Sequence, residues 1–123
     1  MKKLAMMLFV SFMAVSAGAA NWVAADQYSE KGLYNYVDTE SISTQGKYKQ
    51  AFSKSINIPE GYYIIALSSY DCKSNPRRIK YTHMTMFDLE GNVTASSAMT
   101  NSSFAPVLPD SIGESEVNMI CNF

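Results

Sequence analysis

The chain has 123 residues, with ten basic and eleven acidic side chains, one histidine and two cysteines. That length fits one small domain, and the near-neutral balance excludes nucleic acid as the main partner, because phosphate binding runs on net positive charge. One histidine and two distant cysteines also exclude the clustered imidazoles and thiols of a metal site.

The first element is a leader. Met1-Lys2-Lys3 is a short positive segment, Leu4 to Val15 is almost unbroken apolar, and Ala17-Gly18-Ala19-Ala20 offers small residues to a signal peptidase. Residues 1–20 therefore read as a secretory signal peptide, cut after Ala20 or one residue earlier, and residues 21–123 as a single domain. The apolar run is too short to span a hydrocarbon core of roughly 30 Å, which needs about 20 residues. No second run of that length follows, and no cysteine stands at the cleavage point to take a lipid anchor. The mature chain is expected to be soluble and exported, either to the periplasm or to the cell exterior and surface. The leader is bacterial in type, so the Asn-x-Ser/Thr triplets at Asn92 and Asn101 read as chance matches to a glycosylation signal. Removing Lys2 and Lys3 from the ten basic residues leaves eight against eleven acids, a mildly acidic domain.

Trp22, the sole tryptophan, opens the mature chain and is expected to pin a terminal strand to the core. Leu33 to Asp38 (LYNYVD) alternates as a short strand. Lys47 to Ile58 places Tyr48, Phe52 and Ile56 on one side and Lys47, Lys49 and Ser53 on the other, predicting a strand whose polar face is wet. Pro59-Glu60-Gly61 is a turn, and Tyr62 to Tyr70 (YYIIALSSY) reads as the central strand. A tight loop, Lys73 to Pro76, leads to a strand over Arg78 to Asp88 with Ile79, Tyr81 and Phe87 on one face. Leu89 to Asn92 is a hairpin connection and Val93 to Met99 its return strand. The end of the chain changes period. Ser111 with Glu114 forms a capping box, and Val117, Ile120 and Cys121 fall on one helical stripe.

Cys72 and Cys121 are the only cysteines, and in an oxidising compartment they read as one disulfide. The alternative, a redox or nucleophilic pair, lacks the close C-x-x-C spacing. The bridge would bolt the final helix to the end of the central strand, worth roughly 4 kcal/mol by chain entropy. A domain this small needs such a staple. The fold class is therefore α+β: an antiparallel sheet of about five to six strands with a short C-terminal helix tied to it by one disulfide.

The order of these pieces resembles the surface-adhesin protein E family of small exported bacterial proteins. The resemblance rests on Trp22-Val23, the segment NYVDTESI (35–42) with Asp38 and Ser41-Ile42, Gly46, Asp71-Cys72-Lys73 with Arg77-Arg78-Ile79, FDLEGNV (87–93), and PVLPDSIGE through Cys121. It implies an antiparallel sheet, a C-terminal helix and a strand-to-helix disulfide. For the family's adhesin members it implies binding to host matrix and serum proteins such as vitronectin and laminin. The matched residues Trp22, Asp38, Cys72, Arg78, Pro109, Ser111 and Cys121 look like scaffold, so partner contacts belong to loops and exposed strands.

No catalytic, cofactor-binding or metal-binding residue is expected. His83 lies mid-strand without a partner acid or nucleophile in sequence. Asp38 and Glu40 sit where acids satisfy backbone donors. Lys73, Arg77, Arg78 and Lys80 are the candidate partner-binding residues, for an acidic or sulfated partner. Strand alternation puts Arg78 and Lys80 on one face and Arg77 on the other, with Asp71 or Asp88 available to pair an arginine. Eight tyrosines suit protein contact and suit a homodimer equally. The reading is a non-catalytic, exported protein-interaction domain, adhesin-like, with no cofactor. Its alternative is a soluble periplasmic or envelope accessory protein with a bacterial partner.

Overall fold

A computed structural model describes residues 20–100 and 102–123, with the side chains of residues 26–28 left out. The leader, apart from Ala20, and Asn101 lie outside the described residues. Alternating aromatic and branched residues build the strands β1 (Trp22–Tyr28), β2 (Leu33–Asp38), β3 (Ser43–Gln45), β4 (Tyr48–Asn57), β5 (Tyr62–Asp71), β6 (Arg78–Asp88), β7 (Val93–Ala98) and β8 (Ala105–Pro106). One helix, α1 (Ile112–Cys121), closes the chain. The sheet order is β1-β2-β4-β5-β6-β7, antiparallel throughout, with β3 pairing the start of β4 and β8 the start of β6.

Sharp connections make this meander possible. Gly32 turns the chain at φ +70°, and a Cβ there would lie 2.8 Å from the Pro59 ring. Asp88 Oδ1 accepts from the backbone N–H groups of Glu90 and Asn92, closing the β6–β7 hairpin.

The helix packs on one face of the sheet, across β1, β2, β4 and β5. Beneath it lie Val37, Ala51, Tyr70 and Ile79, closed from above by Val117 and Ile120. Ser111 Oγ accepts from Glu114 N–H at 3.1 Å, as the capping box requires. The Glu114 carboxylate reaches one residue further back than expected, accepting from Asp110 N–H. At the other end Lys49 donates to the Ile120 carbonyl, a cation where the helix dipole favours one. The Cys72–Cys121 disulfide ties this end to the end of β5, 49 residues apart in sequence.

Two expectations are corrected. The polar side of β4 is not wet along its whole length: Ser53 is buried under the helix although Ser55 beyond it is exposed, while Phe52 on the opposite side is 39 % exposed. Small serines and alanines let α1 approach closely, so the side that looks polar is the one that closes. In β6, Phe87 does not share a face with Ile79 and Tyr81. The register shifts where Leu67 pairs with His83 and Ser68 with Tyr81, leaving Thr82 as an extra residue that inverts the parity beyond it. Ile79 and Tyr81 point to the helix side, and Phe87 to the other.

Candidate functional site

The face opposite the helix is uncovered by any described element. Registered pairs place Tyr36 beside Lys54, Lys54 beside Ile65, and Tyr63 beside Phe87 on it. Paired residues across antiparallel strands share a side, so an aromatic band crosses the sheet here. Tyr63 and Phe87 stack with centroids 4.7 Å apart. The Lys54 ammonium sits between rings, 5.2 Å from the Trp22 centroid and 5.1 Å from that of Tyr63. Each such cation–π contact is worth about 0.5–1 kcal/mol at an exposed site. Trp22 thus serves a terminal strand as expected, but its ring rests on the open face and is only partly buried.

At one end of this face lies a basic corner. Phe104 packs tilted against Tyr48, centroids 4.6 Å apart, and carries the Arg78 guanidinium and the Lys80 ammonium, each 5.2 Å from its ring centre. A neighbouring cleft of about 290 Å³ is lined by Lys47, Tyr48, Asp71, Lys73, Ser74 and Arg78. Arg78 is held by Asp71, with Nη2 2.6 Å from Oδ2. Asp71 also accepts from the Ser74 hydroxyl and from the N–H groups of Lys73 and Ser74. The Ser74 hydroxyl, then the Arg78 guanidinium, hold its carboxyl down at about 2. It stays ionised, and only one of the corner's cations is neutralised by it.

Of the four candidate residues, the structure therefore gathers Lys73, Arg78 and Lys80 and separates Arg77. Arg77 turns to the helix side, where Nη1 donates to Asn118 Oδ1 at 3.0 Å. Asp38 behaves as a scaffold acid, accepting from the N–H groups of Asn21 and Glu40. Lys47, Lys54 and Phe104 were not singled out from sequence. Lys54 had a signal, being a lone cation in the apolar register of Phe52 and Ile56; Phe104 had none, because its loop is folded against β6 by pairing remote in sequence. His83 is half-buried on the open face, registered with Leu67 and Ala98. Among the described residues no group of three or more His, Cys, Asp or Glu side chains could hold a metal ion.

A further acid was invisible in sequence. Glu116 on α1 is 4 % exposed and faces the sheet. Its carboxylate accepts from the Tyr70 hydroxyl at 2.5 Å and from Asn35 Nδ2 at 3.4 Å. Burial pushes its carboxyl up, opposed in part by hydrogen bonds from Tyr70, Asn35 and Ser53. Burial, with the facing Glu116, also keeps the Tyr70 phenol protonated. The network belongs to the closed face and is structural.

A small sheet with one face partly covered by a latched helix and the other left open, aromatic and basic, has the build of a protein-contact domain. The family model described as surface-adhesin protein E matches residues 22–122, and the chain belongs to that family. It is an adhesin-like surface protein, and no helix among the described residues is long and apolar enough to cross a membrane. No curated protein and no solved structure matches it.

Proposed function

We propose that residues 1–20 are a signal peptide and that the domain 21–123 binds a host extracellular-matrix or serum protein, such as vitronectin or laminin, without catalysis. The observation that carries this reading is the open face, with an aromatic band across the sheet and, further along the strands, the basic corner of Lys73, Arg78 and Lys80. Aromatic and arginine side chains supply most hot spots in protein interfaces, and a cationic rim speeds encounter with an acidic partner.

The test uses protein purified from cells expressing the full chain, passed over immobilised vitronectin and laminin. Saturable binding is expected, weakened about tenfold by Lys73→Glu combined with Lys80→Glu. Neither lysine has a hydrogen-bonded side chain among the described residues, so the double variant is expected to stay folded, its thermal midpoint lowered by no more than the loss of the Lys80–Phe104 contact. Absence of saturable binding to any matrix or serum protein would sink the reading. A pool confined to the periplasm on cell fractionation would favour the accessory role with a bacterial partner.

A further inference from the structure

The helix covers only part of its own side of the sheet, reaching from β1 to β5. Beyond it, on that same side, Ile64, Met84, Met86, Ala95 and Ser97 line an open apolar groove of about 230 Å³. The outer wall of the groove is β7, and β7 is a sheet edge. Among the described residues it pairs only with β6, and all six of its residues are exposed.

Edges of natural sheets are normally blunted by lysine, proline, bulges or a covering segment, because their unpaired N–H and C=O groups can template another strand. In β7 (VTASSA) there is no charge and no proline. Its one irregularity is at Thr94, where the register shifts between the Met86–Ala95 and Phe87–Val93 pairs, so Ala95–Ala98 runs as regular strand. Two of its hydroxyls are engaged toward β6: Thr94 Oγ1 donates to the Met86 carbonyl, and Ser96 Oγ bonds Thr85 Oγ1. Among the described residues no side chain caps the outward backbone row.

We propose that the β7 edge, with the methionine groove behind it, is a docking site for an extended segment of another polypeptide carrying large apolar side chains at alternate positions. The occupant follows from the two halves of the site. An unpaired row of main-chain donors and acceptors is matched by an extended chain, which adds as a strand about 4.8 Å beyond β7. Side chains of that strand on the helix side lie level with Ala95 and Ser97. These two are too small to block the way, so leucine- or phenylalanine-sized groups reach over them toward the long side chains of Met84 and Met86 on β6, with Ile64 behind those. A second copy of this chain fits poorly, since pairing β7 to β7 would set alanine and serine against alanine and serine and leave the groove empty. Methionine is flexible and polarisable, so the groove selects for apolar alternation more than for one sequence. This site is separate from the open face, and neither needs the other.

A fluorescent peptide alternating leucine and threonine, with lysine at both ends for solubility, tests the site against protein purified from cells expressing the full chain. Saturable binding is expected, with backbone amide shifts concentrated in residues 93–98. A block-ordered peptide of the same composition is expected to bind at least about tenfold more weakly, as is the alternating peptide to a Ser97→Lys variant with an unchanged thermal midpoint. Equal binding of the block-ordered peptide would reduce the effect to general hydrophobic adsorption and overturn the proposal. So would a dimer in sedimentation analysis that Ser97→Lys dissociates, which would assign the edge to a second copy.

Discussion

Glu116 and Asp71 are both ionisable groups in fixed hydrogen bonds, yet they push stability in opposite directions with pH. Burial raises the Glu116 carboxyl, so its folded value exceeds its unfolded one. A group of that kind contributes fully below its unfolded value, the ordinary glutamate value of 4.5, and its contribution is lost as pH rises through the higher folded value. Asp71 is the reverse. Its carboxyl is lowered from 3.8 to about 2, so its contribution is complete above 3.8 and is lost as pH falls to about 2. The thermal midpoint is therefore expected to decline on both sides of the mildly acidic range. Glu116→Gln keeps a hydrogen-bonding side chain under the helix and removes the charge that burial penalises. Melting curves from pH 4 to pH 9 should show that variant losing the alkaline-side slope and melting above wild type at neutral pH. A slope that survives the substitution would place its origin elsewhere. Neither group could be assigned this role from sequence: an acid on the helix stripe reads as a solvated position until the sheet beneath it is known to offer Tyr70 and Asn35.

At the scale of elements, α1 is a short helix that owes its place to what holds its two ends. Ser111 and Glu114 cap the start, Lys49 meets the final turn, and the disulfide anchors Cys121 to Cys72. Ten residues are too few for a helix to persist alone in water. Replacing both cysteines by serine is expected to cost about 4 kcal/mol, the loop entropy of a 49-residue span, read as a fall in the urea midpoint. An unchanged midpoint would mean that packing of Val117 and Ile120 suffices. These devices were legible because each is local: a capping box, a single cysteine pair, an apolar stripe, and the turns at Pro59 and Asp88. What escaped the sequence was parity. Thr82 is an ordinary strand residue, and nothing in its chemistry marks it as the one that slips out of register and sends Phe87 to the far side. In β4 the serines suggested water because their polarity is visible, whereas the helix that needs their small size lies sixty residues later in the chain.

Across the whole molecule the two proposed contact surfaces lie on opposite faces of the sheet, and one residue of the first stands at the edge farthest from the second. Trp22 belongs to β1 at one edge and the methionine groove adjoins β7 at the other. Five inter-strand steps of about 4.8 Å separate those edges, some 24 Å in all. Trp22 is the only tryptophan in the chain, and its partly buried ring lies beside Lys54 on the open face. Its emission therefore reports on one surface and not the other. A matrix protein seated on the aromatic band would exclude water from that ring and move Lys54, and the emission of Trp22 should shift to the blue. For a partner that itself contains tryptophan, the readout needs a 5-fluorotryptophan label in this chain, followed by fluorine NMR. The signal should weaken in step with binding as salt rises from 50 to 500 mM, because the basic corner acts through exposed charge over about a Debye length. An alternating apolar peptide on β7 should leave Trp22 unmoved and depend little on salt, since it rests on main-chain hydrogen bonds and methionine contacts. A Trp22 response to the peptide, or its absence with a saturating matrix protein, would show that the surfaces are wrongly placed even if both ligands bind.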